Sequence, residues 1–249
     1  MFNLAVAFWR SKQLDKSLPL FEDVFKRREA VLGRRHPDTL LTAANLGVNY
    51  RDAGRLNEAI PLLEEAYKGS RRNPKLRVAI PDLFDCYVRA EKTVEAINLA
   101  KGAVAEGRKI VEPESLELAS ELVQGGDRLQ KLEAWPESER LLREALSIRE
   151  TLMADDWRTF NTISLLGGSL TGQQKFDEAE PLLIAGYNGM VLRANQIPVD
   201  AIERIPESLK RLIKLYTQWQ KPQQAVEWKK KLEQRNELPD LQSADLPLK

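Results

Sequence analysis

LGRRHPDTLLTAANLGVNYRDAGRLNEAIPLLEEA, residues 32–66, is the stretch that decides the fold of this chain. The small and apolar residues of its first half recur at steps of three or four, as on one face of a helix: Leu40, Ala43, Gly47 and Tyr50. Its second half repeats that spacing with Ala59, Leu62, Leu63 and Ala66. Gly54 interrupts the pattern and suits the left-handed conformation that ends a helix. The stretch therefore predicts an antiparallel helical hairpin.

The sizes of these residues predict how the two helices meet. Gly47 and Ala59 are small where the helices would cross closely, and Tyr50 and Leu63 are large where gaps beside the crossing need filling. A hairpin this short cannot bury both of its apolar faces, so it needs similar neighbours stacked against it.

The same pattern recurs along the chain. If each second helix is aligned on an early small residue, the separations are 42, 37, 42, 41 and 46 residues, for the anchors Ser17, Ala59, Ala96, Ser138, Ala179 and Ala225. Strong helix formers dominate and strand patterns are hard to find. The sequence predicts an all-α fold of six hairpins at about 1–36, 37–73, 75–110, 114–154, 157–195 and 200–235. These form one repeat domain over 1–235, followed by a disordered tail at 236–249.

Three loops are predicted to start helices, because each joins a proline to polar residues that can cap a helix. They are His36-Pro37-Asp38-Thr39, Glu112-Pro113-Glu114-Ser115 and Ile197-Pro198-Val199-Asp200. At the amino end, Asn3 to Trp9 supplies only the second half of a first helix. This favours a Met1 that begins a fragment of a longer protein, over a frayed first hairpin.

Composition excludes several classes of function. The 249 residues are 43% hydrophobic and 30% charged, with 38 basic against 37 acidic side chains and a net charge of +1. This balance gives no electrostatic case for binding nucleic acid or a membrane surface. There is one cysteine, Cys86, and neither a signal peptide nor a membrane span is visible. A cytoplasmic protein is expected.

Catalytic and cofactor chemistry finds little support. His36 is the only histidine, so a serine or cysteine nucleophile would depend on it, yet its place beside Pro37 indicates a helix entry. The glycines between Gly167 and Gly172 lack the Lys-Ser/Thr of a phosphate loop and are expected to pack helices together. We predict no enzyme, no cofactor and no metal. Packing roles are expected for Trp135, Trp157, Trp219 and Trp228.

These hairpins resemble tetratricopeptide repeats. The resemblance rests on Leu46-Gly47, Tyr50, Gly54, Ala59 and Ala66, and on Leu166-Gly167, Phe176 and Ala179 in the fifth hairpin. Separations near 42 exceed the ordinary 34 and, with Leu32-Gly33 and His36 to Thr39, resemble the long variant of kinesin light chains and many bacterial proteins. The resemblance implies a right-handed superhelix whose first helices line a concave groove.

Projecting that groove onto the sequence selects polar residues of the first helices. They are Asn45, Arg51, Asp82, Asp85, Gln124, Asp127, Lys131, Asn161, Ser164, Lys210, Arg211 and Lys214. Asn45 occupies the place where the resembled repeats present asparagine to a peptide backbone. Because the middle hairpins are acidic and Lys210 to Lys214 are basic, the expected ligand is a peptide or helix of mixed charge from another protein. The alternative is a merely solvated surface.

Two functional hypotheses follow. The first is a non-catalytic scaffold that binds another protein in the groove, with its oligomeric state left open. The second is the carboxy-terminal repeat region of a larger bacterial serine/threonine kinase or other signalling protein. These residues contain no kinase motif, so the second depends on sequence before Met1.

Overall fold

The computed structural model describes residues 1–71 and 73–236, which contain twelve α-helices and no β-strand. The all-α prediction is confirmed. The helices are α1 (Phe2–Arg10), α2 (Leu14–Leu32), α3 (Pro37–Asp52), α4 (Leu56–Gly69), α5 (Ala79–Arg89), α6 (Thr93–Ile110), α7 (Leu116–Lys131), α8 (Trp135–Met153), α9 (Trp157–Gly172), α10 (Phe176–Leu192), α11 (Arg204–Gln218) and α12 (Pro222–Asn236). Short 3-10 turns lie at Pro74–Val78, Ala194–Gln196 and Val199–Ala201. The tail predicted at 236–249 lies, beyond its first residue, outside the described residues, and the single domain over 1–235 stays a prediction.

All six hairpin turns have the same geometry. In each, one residue with positive φ lies two positions after the first helix and two before the second: Lys12, Gly54, Glu91, Glu133, Gln174 and Gln220. The N–H of the next residue then donates to a carbonyl five positions earlier, as from Arg55 to Tyr50 at 2.8 Å. This is the Schellman arrangement, which satisfies carbonyl groups at a helix end. The role predicted for Gly54 is confirmed, and five residues with longer side chains adopt the same backbone conformation.

Two of the three predicted helix entries are confirmed. Pro37 is the first residue of α3, and the His36 imidazole caps that helix by accepting from the Asp38 N–H at 3.2 Å. Ser115 caps α7 by accepting from the Leu118 N–H at 3.1 Å. The third prediction was wrong, because residues 197–200 lead into a 3-10 turn and α11 begins only at Arg204. A proline with capping residues starts either kind of turn, so the pattern did not distinguish them.

Residues 1–102 form the first compact unit. Its close crossing lies where the sequence predicts it, since a Cβ on Gly47 would meet Leu63 Cγ at 2.8 Å and the Ala59 carbonyl at 3.2 Å. Successive hairpins are also joined by a buried polar contact, in which the Ser17 hydroxyl donates to Asn49 Oδ1 at 2.6 Å. The core thus combines small-residue crossings with a few satisfied polar groups.

The second unit begins at Ala103 and repeats these devices. A Cβ on Gly167 would meet Leu183 Cγ at 2.7 Å. Ser138 is fully buried, donates to the Gly126 carbonyl at 2.8 Å, and accepts from the Ser169 hydroxyl at 2.9 Å. Ser138 therefore replaces the usual alanine with a group whose hydrogen bonds are made internally. Across both units, all six anchors of the predicted repeat are buried.

Candidate functional site

An open cavity of about 190 Å³ lies in the second unit. Its walls come from three successive first helices, α7, α9 and α11, and from the start of α8. Four of the residues that the sequence selects for the groove line it: Asp127, Lys131, Arg211 and Lys214. The other lining residues are Gln130, Trp135, Gly168 and Thr171.

The α7 wall is held in place by hydrogen bonds inside the unit. Lys131 Nζ lies 3.2 Å from Asp127 Oδ2, one turn earlier in the same helix. The Gln130 amide donates to the Leu165 carbonyl and, at 2.8 Å, to Ser169 Oγ. Because both donor contacts of Gln130 reach α9, this side chain fixes α7 against α9 and leaves its carbonyl oxygen near the cavity floor.

Arg211 forms the opposite wall from α11. Its side chain is only 15% exposed, and it donates to Ser164 Oγ at 3.3 Å. Glu207, one turn earlier, approaches at 3.6 Å, beyond ordinary hydrogen-bonding distance. Burial lowers the pKa of Arg211, with the charges of Glu207 and Asp127 acting against that effect. The guanidinium is thus desolvated and only loosely neutralised by its own helix.

Trp135 and two glycines shape the remaining surface. A Cβ on Gly172 would meet the Trp135 ring at 2.2 Å, so the indole packs directly on the glycine. Lys214 Nζ lies 4.8 Å from the centroid of the same ring. A Cβ on Gly168 would lie 3.2 Å from Arg211 Cδ and 3.3 Å from Gln130 Oε1, so glycine keeps the floor open.

The charge of the cavity is strongly asymmetric. Three cations and one carboxylate line it. Lys131 neutralises Asp127, and Lys214 has no carboxylate partner within residues 1–71 and 73–236. The cavity therefore attracts anions.

Three of the four predicted groove residues of the first unit, Arg51, Asp82 and Asp85, form a separate cluster. Arg51 contacts Asp82, lies 2.7 Å from Asp52, and approaches Asp85 at 3.8 Å. Arg89 also approaches Asp85, at 3.6 Å. Burial raises the pKa of Asp82, and the Arg51 charge opposes that rise. Two guanidinium groups thus offset two of the three carboxylate charges, so the acidic character expected from the sequence is largely neutralised.

The other predicted site residues have varied surroundings. Asn45 is half-buried and donates to the Leu41 carbonyl of its own helix at 2.8 Å. Gln124 and Lys210 are exposed. Asn161 and Ser164 are buried, at 6% and 0% exposure; Ser164 packs on Gly186 of α10, where a Cβ would lie 2.7 Å from it, and accepts from Arg211 of α11. They are inter-helix residues of the core, although Ser164 positions Arg211.

Four lining residues were not predicted from the sequence: Gln130, Trp135, Gly168 and Thr171. Trp135 was assigned to packing alone, but it both packs on Gly172 and lines the cavity. Gly168 was grouped with close-packing glycines, whereas only its neighbour Gly167 touches the partner helix of the hairpin. The glycine pair itself carries no signal, since both glycines of the equivalent pair Gly125-Gly126 pack closely on apolar side chains.

Comparison with known families agrees with this architecture. Three family models, each described as tetratricopeptide repeat, match residues 1–72, 50–122 and 124–156. The chain belongs to the tetratricopeptide repeat family. The predicted resemblance is confirmed. No curated protein matches the sequence.

Solved structures with this fold include other tetratricopeptide repeat proteins. The nearly identical TPR-like repeats named for a Podosopora anserina kinesin light chain are 20% identical, with a TM-score of 0.65 over 76% of this chain and 92% of that one. BtubC (BKLC) from P. vanneervenii is 15% identical, with a TM-score of 0.65 over 96% and 98%. The apo form of RapI is 11% identical, with a TM-score of 0.58 over 94% and 97%. At these identities the likeness shows the fold alone.

Tetratricopeptide repeats serve generally as protein-interaction scaffolds, because stacked repeats create extended binding surfaces. This chain is a scaffold of that general class. Among the helices described, none is both long and apolar enough to cross a bilayer.

Proposed function

We propose that this tetratricopeptide repeat protein is a non-catalytic module that binds an extended segment or helix of another protein along the first helices of its second unit. The observation that carries the proposal is the cavity itself, since α7, α9 and α11 each contribute charged or polar side chains to one concave surface. Recognition of a chain segment by side chains on rigid helices is an economical use of such a surface.

The chemistry of the lining supports binding in preference to catalysis. The lining residues include no histidine, cysteine or serine. The Thr171 hydroxyl is already donated to the Gly167 carbonyl at 2.9 Å. Apart from the Asp127 carboxylate, which is paired with Lys131, the lining offers an aromatic face, ammonium and guanidinium groups, and amide oxygen, which together suit ion pairing and stacking.

The charge pattern narrows the proposed partner. In the first unit Arg51 and Arg89 offset most of the charge of Asp52, Asp82 and Asp85, so electrostatic selectivity there is weak. In the second unit the excess positive charge favours a segment with an anionic side chain directed at the cavity. Of the mixed-charge peptides or helices expected from the sequence, we therefore favour one whose acidic part contacts Arg211 and Lys214.

Selection from a displayed library of random unmodified peptides tests this function. The full chain is the bait, and selected peptides are re-measured against Lys214→Glu and against Lys210→Glu, an exposed lysine of the same helix outside the cavity. We expect acidic peptides whose binding falls about tenfold or more with Lys214→Glu and much less with Lys210→Glu. Equal losses for the two variants, or no selected peptide, would contradict the proposal.

A further inference from the structure

The cavity carries more positive charge than one carboxylate needs. With Asp127 engaged by Lys131, two cations remain on α11. Lys214 has no carboxylate partner in the described residues, and Arg211 shares Glu207 Oε2, at 3.6 Å, with Arg204, which is closer at 3.0 Å. A monoanion would leave one of these charges uncompensated in a partly desolvated site. A dianion would match both.

The geometry of the two cations suits an oxyanion with several acceptor oxygens. Arg211 is held on one side by Ser164, at 3.3 Å, and its planar fork carries five donors, more than these contacts use. Lys214 presents three donors from an exposed position one turn away along α11. Such a pair can bind two or three oxygens of one group at once.

The cavity floor leaves room for the group. Gly168 has no side chain between Arg211 Cδ and Gln130 Oε1. The cavity volume of about 190 Å³ is roughly six times the share of one water molecule in the liquid, about 30 Å³. A tetrahedral oxyanion with its linking atoms fits this space, and the Trp135 face offers an apolar wall for the carrier side chain.

We propose that the cavity of the second unit binds the dianionic phosphoryl group of a phosphorylated side chain on the partner protein, between Arg211 and Lys214. This inference rests on the proposed function and adds the chemical class of the anchoring group. A phosphate monoester carries a charge of about −1.5 to −2 at neutral pH, whereas a carboxylate or sulfonate carries −1. The cavity thus distinguishes a phosphorylated side chain from an unphosphorylated one by charge as well as by shape.

Small probes isolate the phosphoryl contribution. Phenyl phosphate and benzenesulfonate share a ring and a tetrahedral head but differ in charge, and benzoate serves as the planar monoanion. Each is titrated into the full chain while the Gly168 amide and the Trp135 indole are followed by NMR. We expect phenyl phosphate to bind about tenfold more tightly than either monoanion, because it adds one charge-assisted hydrogen bond.

Matched variants assign the effect to the cavity. Lys214→Gln should reduce phenyl phosphate affinity about tenfold, close to that of benzenesulfonate, and Lys210→Gln should leave it unchanged. Equal affinities for phenyl phosphate and benzenesulfonate would overturn the proposal. Equal losses of phenyl phosphate affinity in the two variants, or no chemical-shift change at the Gly168 amide, would also overturn it. Both variants alter exposed lysines, so folding is not at issue.

A peptide experiment distinguishes a failure of the phosphoryl assignment from a failure of the proposed function. One selected peptide is synthesised with serine, glutamate or phosphoserine at its acidic position. Tighter binding of the phosphoserine form, lost in Lys214→Gln, supports the proposal. If the three forms bind equally, peptide binding stands and the phosphoryl assignment fails. If phenyl phosphate binds but unmodified peptides do not, the phosphoryl site is supported and the proposed binding of unmodified peptides fails.

Discussion

The adjacent glycines of α9 allow helix propensity and close packing to be measured separately. Replacing either Gly167 or Gly168 with alanine changes the same helix by the same atom, so both variants gain about 1 kcal/mol from helix propensity. Their surroundings differ. The new Cβ at 167 would lie 2.7 Å from Leu183 Cγ and 3.2 Å from the Leu183 backbone nitrogen. At 168 the closest atoms, at 3.2 and 3.3 Å, belong to the long side chains of Arg211 and Gln130.

These contacts set the expected magnitudes. Backbone cannot yield as a side chain can, so overpacking at 167 should cost about 2 to 3 kcal/mol, for a net destabilisation of about 1 to 2 kcal/mol. At 168 a shift of a few tenths of an ångström suffices, and the free energy of unfolding should stay equal or rise by up to about 1 kcal/mol. The two variants should therefore differ by about 2 kcal/mol.

Urea unfolding followed by circular dichroism measures this difference. With a slope of about 2 kcal/mol/M, the midpoints of the two variants should lie about 1 M apart. Because the glycines are sequence neighbours, changes in the unfolded state cancel in the comparison. Coincident midpoints would refute the close crossing of α9 and α10. A Gly168→Ala protein that is stable but binds phenyl phosphate normally would refute the role of the open floor.

Three further predictions concern buried or paired side chains. Burial and the hydrogen bond to Glu22, at 2.6 Å, raise the pKa of Tyr50 to about 12, so its stabilisation is complete below pH 10, the unfolded value, and is lost as pH rises through 12. Tyr216 also has a pKa of about 12, so Tyr50→Phe should reduce the phenolate absorbance change near pH 12 by the contribution of one tyrosine; a reduction near pH 10 instead would contradict this. Burial lowers the pKa of Arg149 to about 10, and no carboxylate pairs with this side chain in the described part of the chain. In urea unfolding, the free energy of unfolding of Arg149→Met should stay within about 1 kcal/mol of wild type, whereas that of Arg149→Ala should fall by about 3 kcal/mol. Arg51→Met should raise the pKa of Asp82 further, because it removes the opposing charge, so the variant is destabilised most at neutral pH and recovers as Asp82 is protonated; carboxyl NMR titration that shows no rise would contradict this.

The hairpins were predictable because their cause is local. The step of three or four residues, the small anchors from Ser17 to Ala225 and the turn at Gly54 each depend on a few neighbours in sequence, and the structure buries every anchor. The capping role of His36 followed from adjacent residues in the same way. Periodicity within one helix thus carries most of the fold.

The candidate site was only partly predictable because it depends on contacts between hairpins. Asp127, Lys131, Arg211 and Lys214 were selected by their helical positions and do share one cavity. Ser164 was selected from its helix in the same way, yet it is buried against Gly186 of α10 and the side chain of Arg211 from α11, because burial depends on which neighbouring helices pack on that face. No spacing within a helix encodes that packing, and the contact of Trp135 with both Gly172 and the cavity could not be predicted for the same reason.

Because the six turns share one geometry, the stability of each hairpin can be changed separately by substitution at its turn. Five of the six left-handed positions carry lysine, glutamate or glutamine, residues for which this conformation costs about 1 kcal/mol relative to glycine. In a linear array, stability is a sum of terms for each repeat and each interface. Glycine at Gln174, for example, would strengthen one hairpin without touching a binding surface, and different choices would set which end of the array opens first under load or heat. The turns are therefore points of control for engineering the order of unfolding.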